Sequence, residues 1–153
     1  MADELTGGCL CGAVRYRVAP GGLRFAPYAC HCTDCQTRSG SAFGIQLGVA
    51  EADLTVEGAT IAGEHVQPSG AVARIVGCPQ CLTRLYTTNS LRPGLANLRA
   101  GTLDDSQTLV PAFHLWVGSK QPWVAIPDGV PALAGNPRSV EEWLALFNGT
   151  WRG

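Results

Sequence analysis

The chain has 153 residues, of which 46% are hydrophobic and 15% are charged. This length and composition argue against a disordered chain and against a large multidomain protein. Eleven Lys and Arg residues oppose twelve Asp and Glu residues for a formal charge of -1, and Lys120 is the only lysine. Because no broad basic surface is evident, nucleic acid is not an expected partner.

The first part of the chain has the features of short strands joined by turns. Nineteen glycines and ten prolines are scattered along the sequence, which favours a mainly β fold over a helical bundle. After Gly7, the residues Val14, Tyr16 and Val18 alternate with arginines, which predicts a strand with one buried face. Short apolar runs predict further strands at 42–49, 54–56, 71–76 and 112–117.

Helical features are concentrated near the C-terminus. Ser139 stands three residues before Glu142 in a capping-box arrangement, and Gly149 follows an apolar set that includes Trp143 and Phe147. We expect a short helix there that packs its apolar stripe on the sheet. Earlier in the chain, the residues 33–36 predict only a short capped turn or the start of a helix, with Thr33 as the cap.

Seven cysteines are the most informative count in this sequence. Since the number is odd, internal disulfides cannot pair them all. Met1 to Leu5 is acidic and lacks the apolar core of a secretory signal, and no apolar run approaches the roughly 20 residues that span a bilayer. We therefore expect a cytoplasmic protein without membrane contact, in which clustered cysteines serve as metal ligands or catalytic groups.

The cysteines form three tight groups, namely Cys9 with Cys11, Cys30 with Cys32 and Cys35, and Cys78 with Cys81. Residues i and i+2 of an extended chain point to the same face, so a Cys-x-Cys pair presents two sulfurs side by side, and a Cys-x-x-Cys turn does the same. Two such pairs supply the four thiolates that zinc binds at about 2.3 Å. The spacing predicts a closed structural zinc site formed by Cys9, Cys11, Cys78 and Cys81.

The remaining group, Cys30, Cys32 and Cys35, offers only three sulfurs. A second zinc held there keeps a fourth position for water, a histidine or an incoming thiol, and an open position is what catalytic zinc needs. Two alternatives stay open at this point. The four-ligand site could instead combine Cys30 or Cys32 with Cys35 and the last cysteine pair, or the trio could belong to a second closed, purely structural site.

Four segments in this order carry a family resemblance, and they are Gly8–Gly12, Cys30–Cys35, Arg38–Phe43 and Gly101–Asp105. From about residue 7 to residue 123 the chain resembles the glutathione-dependent formaldehyde-activating enzymes, which are related to centromere protein V. The resemblance implies one zinc-binding domain over 1–153, with a core at about 7–123 and a helical extension at about 137–149. It implies a β-tent fold of short antiparallel sheets around two zinc sites, in which the four-cysteine site is structural and the three-cysteine site is catalytic.

One residue departs from the family pattern. The family usually has glycine directly after the second cysteine of the Cys-x-x-Cys pair, whereas this chain has Leu82 after Cys81. Metal-binding turns often need a left-handed residue there, and glycine adopts that conformation most easily. We therefore expect a looser turn at Cys81, with the ligand count unchanged.

The resemblance implies a zinc-dependent carbon–sulfur lyase that joins a small-molecule thiol such as glutathione to formaldehyde or another small aldehyde. Cys30, Cys32 and Cys35 would be catalytic. Arg38 and Ser39 follow them and are expected to contact a carboxylate of glutathione, although a solvated turn fits equally well. The alternatives are a non-catalytic zinc module that binds another protein, and a thiol–disulfide switch that uses Cys32 and Cys35.

The other polar and aromatic candidates receive structural interpretations. His31 lies between two inward-facing cysteines and should face away from a metal, while His65 and His114 should be satisfied locally. The adjacent acids Asp104 and Asp105 are more typical of a turn than of a general-base pair. The tryptophans, at positions 116, 123, 143 and 151, are interpreted mainly as packing residues, and a binding role is the alternative for Trp123, which lies near the turn at 121–122.

Overall fold

The computed structural model describes residues 3–152, and within them the chain forms eleven strands and two α-helices. The strands are β1 (Leu5–Gly8), β2 (Arg15–Val18), β3 (Tyr28–Cys30), β4 (Gly44–Ala50), β5 (Leu54–Glu57), β6 (Ile61–Val66), β7 (Val72–Gly77), β8 (Arg84–Asn89), β9 (Leu95–Arg99), β10 (Phe113–Leu115) and β11 (Ala132–Leu133). The helices are α1 (Thr33–Ser39) and α2 (Val140–Phe147). Neither of these helices has the length and apolar character that crossing a bilayer requires. The predicted mainly β fold with a short C-terminal helix is confirmed.

The chain divides into two compact units. The first unit contains the described residues up to Phe25 together with Leu47–Thr108, and the second contains Ala26–Gln46 with the described residues from Leu109 onwards. Strand β4 passes from the second unit into the first after Gln46. The single domain expected from the sequence stays a prediction.

The first unit contains two sets of antiparallel strands. Strand β2 pairs with β1 on one side and with β5 on the other. As the alternation predicted, Val14, Tyr16 and Val18 are buried, whereas Arg15 and Arg17 are exposed. Strands β6 to β9 form a meander in which each strand pairs antiparallel with the next. The turns that connect β1 to β2 and β7 to β8 carry the cysteine pairs of this unit.

The second unit is organised around strand β3. This strand pairs antiparallel with β4 and parallel with β10, and β10 pairs parallel with β11. The parallel pairs are a feature that the expected antiparallel sheets did not include, and they arise because the chain returns to β3 in the same direction after a long connection. The register places Leu115 beside Cys30. The residues that follow β10 therefore lie next to the segment that follows β3.

An aromatic cluster forms the core of the second unit. The rings of Tyr28 and Phe113 stack with centroids 5.2 Å apart, and Trp143 and Phe147 of α2 meet them edge-on. The predicted cap of α2 is confirmed, because the Ser139 hydroxyl accepts the Glu142 N–H at 3.1 Å. Cys30 and Cys35 belong to the same buried cluster. The C-terminal helix thus packs against the same core that contains two of the three cysteines of the second unit.

Candidate metal centres

The four cysteines of the first unit come together at the tips of two turns. Their sulfurs all lie within 4.8 Å of one another. The Sγ–Sγ distance is 3.6 Å between Cys9 and Cys11 and 3.8 Å between Cys11 and Cys78. Four thiolates placed tetrahedrally at zinc–sulfur distances of about 2.3 Å are about 3.8 Å apart, whereas a disulfide bond is about 2.05 Å long. The donor set and its spacing fit a tetrahedral zinc ion without rearrangement.

Hydrogen bonds from the turns reach three of the sulfurs in this group. The Val14 N–H donates to the Cys9 sulfur at 3.2 Å, and the Gln80 N–H donates to the Cys78 sulfur at 3.4 Å. The Thr83 hydroxyl lies 3.1 Å from the Cys81 sulfur, and hydrogen bonding from that hydroxyl is the main reason that the pKa of Cys81 falls to about 5. Donors of this kind orient metal ligands and stabilise their charge.

Leu82 adopts the conformation that glycine would supply. Its φ is 59°, in the left-handed region, and its N–H donates to the Cys78 carbonyl at 3.0 Å. The Cys78 N–H in turn donates to the Thr83 carbonyl at 2.9 Å. The looser turn expected from the missing glycine is therefore not observed. The turn stays closed, and the side chain bears a conformational cost of about 1–2 kcal/mol.

The three cysteines of the second unit lie at the junction of β3 and α1. Cys30 ends the strand, Cys32 precedes the helix, and Cys35 lies in its first turn, with the three sulfurs within 4.8 Å of one another. The helix cap is Cys32, whose sulfur accepts the Cys35 N–H at 3.4 Å, and not Thr33 as the sequence suggested. Thr33 is the first helical residue, because the chain is still extended at Cys32.

Proton sharing couples the sulfurs of this trio. Hydrogen bonds from Cys30 and then from Cys35 lower the pKa of Cys32 to about 2. Hydrogen bonding to Cys32 and then to Cys35 raises the pKa of Cys30, and burial of Cys30 adds to the effect. Cys32 is the half-buried member, whereas Cys30 and Cys35 are buried. The lowered pKa is therefore that of the more accessible sulfur.

Gln46 of β4 is a contact of the trio that sequence reasoning missed. Its side-chain N–H donates to the Cys35 sulfur at 3.5 Å, and its carbonyl oxygen lies 3.4 Å from the Tyr28 hydroxyl that donates to it. The only signal in the sequence is a polar residue within the apolar run from 42 to 49. Gln46 contacts the trio because β3 pairs with β4, and this pairing places Tyr28 opposite Gln46.

The two histidines of the second unit form a buried pair. His31 Nε2 lies 2.9 Å from His114 Nδ1, and the His31 ring also packs against Phe43 at a centroid distance of 5.0 Å. Burial lowers the pKa of both rings. Neither histidine belongs to a group of ligand atoms found in the described residues, so His31 is placed as expected, and His114 is satisfied by His31. His65 lies on the exposed strand β6.

Arg38 and Ser39 lie at the end of α1, the helix that carries Cys35. The Ser39 hydroxyl is within 3.3 Å of the carbonyls of both Gln36 and Phe43, so it contributes to the turn that ends the helix. Arg38 is half-buried. Contact between these two residues and glutathione stays a prediction.

Asp104 has a structural partner. Arg15 donates to both of its carboxylate oxygens, one of them at 3.0 Å, and the Thr6 hydroxyl donates at 2.6 Å. Hydrogen bonding from Arg15 lowers the pKa of Asp104. The carboxylate therefore joins β1, β2 and the turn after Leu103, consistent with its interpretation as a turn residue.

The cysteines separate into groups of four and three, as ligand counting predicted, and the alternative that combined the trio with the last pair is not the arrangement found. All seven cysteines are free, without disulfide bonds.

Comparisons with known proteins identify the family of the chain. Residues 4–119 match the family described as glutathione-dependent formaldehyde-activating enzyme. A Halomonas elongata protein named "Putative glutathione-dependent formaldehyde-activating enzyme" is 32% identical over an alignment that covers 92% of this chain and 94% of that protein. A crystal structure of a Rhodobacter sphaeroides protein shares the fold at a TM-score of 0.52 and 20% identity, covering 69% of this chain and 97% of that one. The chain belongs to the glutathione-dependent formaldehyde-activating enzyme family.

Proposed function

We propose that this protein is a zinc-dependent carbon–sulfur lyase that adds a thiol such as glutathione to formaldehyde or another small aldehyde. The observation that carries the proposal is the division of the cysteines into a group of four and a group of three. Four sulfurs saturate a tetrahedral zinc ion, whereas three leave a position for a reactant. Family membership and the name of the Halomonas relative support the choice of thiol and aldehyde.

The four-cysteine and three-cysteine groups would have different functions. Cys9, Cys11, Cys78 and Cys81 would hold a structural zinc that joins two turns whose cysteines are 67 residues apart at Cys11 and Cys78. Cys30, Cys32 and Cys35 would hold the second zinc. When bound there, zinc supplies positive charge that favours the thiolate form of a substrate and the polarisation of an aldehyde carbonyl.

The protein's own residues prepare the second site. The pKa of Cys32 is lowered, and its sulfur caps α1 by accepting the Cys35 N–H, which fixes the spacing of the Cys32 and Cys35 sulfurs. Gln46 fixes the Cys35 sulfur from the side of the sheet. In the addition, the substrate sulfur forms a bond to the aldehyde carbon, and the thiol proton passes to the aldehyde oxygen, so no proton is gained or lost overall.

A non-catalytic zinc module is the alternative, and one observation favours it. Leu10 and Leu82, at the tips of the four-cysteine turns, are 90% and 74% exposed. Exposed leucines of this kind occur on surfaces that bind other proteins.

The thiol–disulfide switch requires Cys32 and Cys35 to be free of metal. A cytoplasmic location remains our proposal, supported by the free state of all seven cysteines.

The test combines metal analysis with a rate measurement. Protein purified under reducing conditions should contain two zinc ions per chain, and it should speed the formation of the glutathione adduct of 13C-labelled formaldehyde followed by NMR. The matched control is Cys35→Ser, which should keep the structural zinc and lose the rate enhancement. A wild-type protein with both zinc ions and no rate enhancement over a range of thiols and aldehydes would contradict the lyase and favour the binding module.

A further inference from the structure

We propose that the segment from Trp116 to Trp123 is the substrate-recognition loop of the three-cysteine site, and that the indole of Trp123 stacks on the planar peptide groups of a peptide thiol. The inference deepens the proposed function and rests on it, because it names the part of the substrate that is recognised. The supporting contacts all lie within the second unit.

Strand pairing brings the start of this loop to the cysteine segment. Leu115 is the register partner of Cys30, and the Leu115 carbonyl accepts the His31 N–H at 2.9 Å. Trp116 follows directly with φ at 60°, in the left-handed region that non-glycine residues rarely adopt. Strained backbone of this kind is concentrated at binding and catalytic sites. Here it turns the chain out of β10 immediately beside the trio.

Hydrogen bonds of the Gln36 side chain connect the loop to α1, the helix that carries Cys35. The side-chain NH2 of Gln36 donates to the His31 carbonyl at 2.8 Å and to the Ser119 carbonyl at 2.9 Å. Its carbonyl oxygen accepts a hydrogen bond from the Gln121 side chain at 3.2 Å. Every donor and acceptor group of this amide is therefore used to hold the loop against the cysteine segment.

The same chain of hydrogen bonds ends at Trp123. The indole N–H donates to the Gln121 side-chain carbonyl at 2.7 Å, while 74% of the residue remains exposed. By contrast, Trp143 and Trp151 pack against the aromatic core. The sequence indicated mainly packing roles for the tryptophans and left a binding role open for Trp123, and the exposure of Trp123 favours that alternative. An indole that is held in place by its N–H and open to water on its faces is prearranged to stack on a flat ligand.

The charges of the loop indicate which part of a thiol it recognises. Lys120 donates to the carbonyls of Gln121 and Val124, the latter at 2.6 Å, so its ammonium group is committed to the loop itself. The loop therefore has no other cationic side chain that could pair with a substrate carboxylate. Stacking on the amide planes of a peptide thiol such as glutathione is therefore the contribution to affinity that this loop can make, and a thiol without peptide groups gains nothing from Trp123.

The experiment measures binding of glutathione and of 2-mercaptoethanol to the zinc-loaded protein by calorimetry, in the wild type and in Trp123→Ala, Trp123→Phe and Leu91→Ala. Leu91 is an exposed leucine of the first unit and serves as the matched control. We expect Trp123→Ala to weaken glutathione about ten-fold and to leave 2-mercaptoethanol unchanged. Trp123→Phe should keep most of the affinity, and Leu91→Ala should bind both thiols as the wild type does.

The other outcomes separate the two proposals. If wild type binds glutathione and Trp123→Ala binds it equally well, or loses both thiols to the same extent, the recognition loop is overturned and the lyase stands. If zinc-loaded wild type binds neither thiol, the proposed function is overturned, and the recognition loop is overturned with it.

Discussion

The side-chain amide of Gln46 donates a hydrogen bond to the Cys35 sulfur at 3.5 Å, and the carbonyl of the same amide faces the Tyr28 hydroxyl at 3.4 Å. Tyr28 in turn stacks on Phe113 in the aromatic core. One side chain therefore connects a candidate metal ligand to the aromatic core of the second unit. A hydrogen bond of this kind orients a ligand sulfur for its metal.

Gln46→Leu should weaken zinc at the three-cysteine site by about ten-fold to a hundred-fold, the usual effect of losing an outer hydrogen bond to a ligand. Zinc at the four-cysteine site should be unaffected, because that group lies in the first unit. Competition with a chelator measures both affinities. Gln107→Leu, at an exposed glutamine of the first unit, is the control, and equal zinc retention in the two variants would refute the role of Gln46.

Cys78→Ser should prevent stable folding, because binding of structural zinc contributes on the order of 10 kcal/mol to folding in small domains. Cys35→Ser should remain folded, contain about half of the zinc and lose activity. Thermal unfolding and zinc-to-protein ratios check both variants. An unfolded Cys35→Ser protein would show that the trio, too, is structural.

Leu82→Gly should raise the free energy of unfolding by about 0.5–1 kcal/mol. The change removes the left-handed strain of Leu82, and the greater freedom of glycine in the unfolded chain offsets part of the gain. Chemical denaturation of the zinc-loaded protein measures the difference. Leu91→Gly is the matched control at an exposed leucine without positive φ, and it should destabilise the protein. Destabilisation by both changes would argue against strain at Leu82.

Stability should fall as the pH is lowered through the range of histidine titration. Burial lowers the pKa of His31 and His114 in the folded protein. Between these lowered values and the ordinary histidine pKa of about 6.5, the unfolded chain therefore binds more protons than the folded protein. The stabilisation is therefore complete above about pH 6.5 and is lost as the pH falls through the folded values.

The variant His114→Asn isolates this effect. Asparagine keeps a hydrogen-bonding side chain beside His31 but does not titrate, so the slope of unfolding free energy between pH 5 and 6.5 should become shallower than in the wild type. Zinc release in acid affects both proteins alike, and the difference between the two slopes is the quantity to measure. Equal slopes would show that His114 does not contribute.

The sequence by itself determined the features that depend on near neighbours in the chain. The spacing within each cysteine group, the alternation around Tyr16 and the cap at Ser139 are local patterns, and the structure confirms them because pleating and helix geometry repeat over a few residues. Ligand counting favoured a division of the sulfurs into four and three, and the structure decided for it against the alternative partition.

Only the tertiary structure decided the features that depend on distant partners. Gln46 reaches Cys35 through the register of β3 and β4, and the exposed position of Trp123 follows from the hydrogen bonds that hold its loop to α1. Both outcomes rest on pairings between residues that are far apart in the chain, and the residue type at a single position does not specify such a pairing.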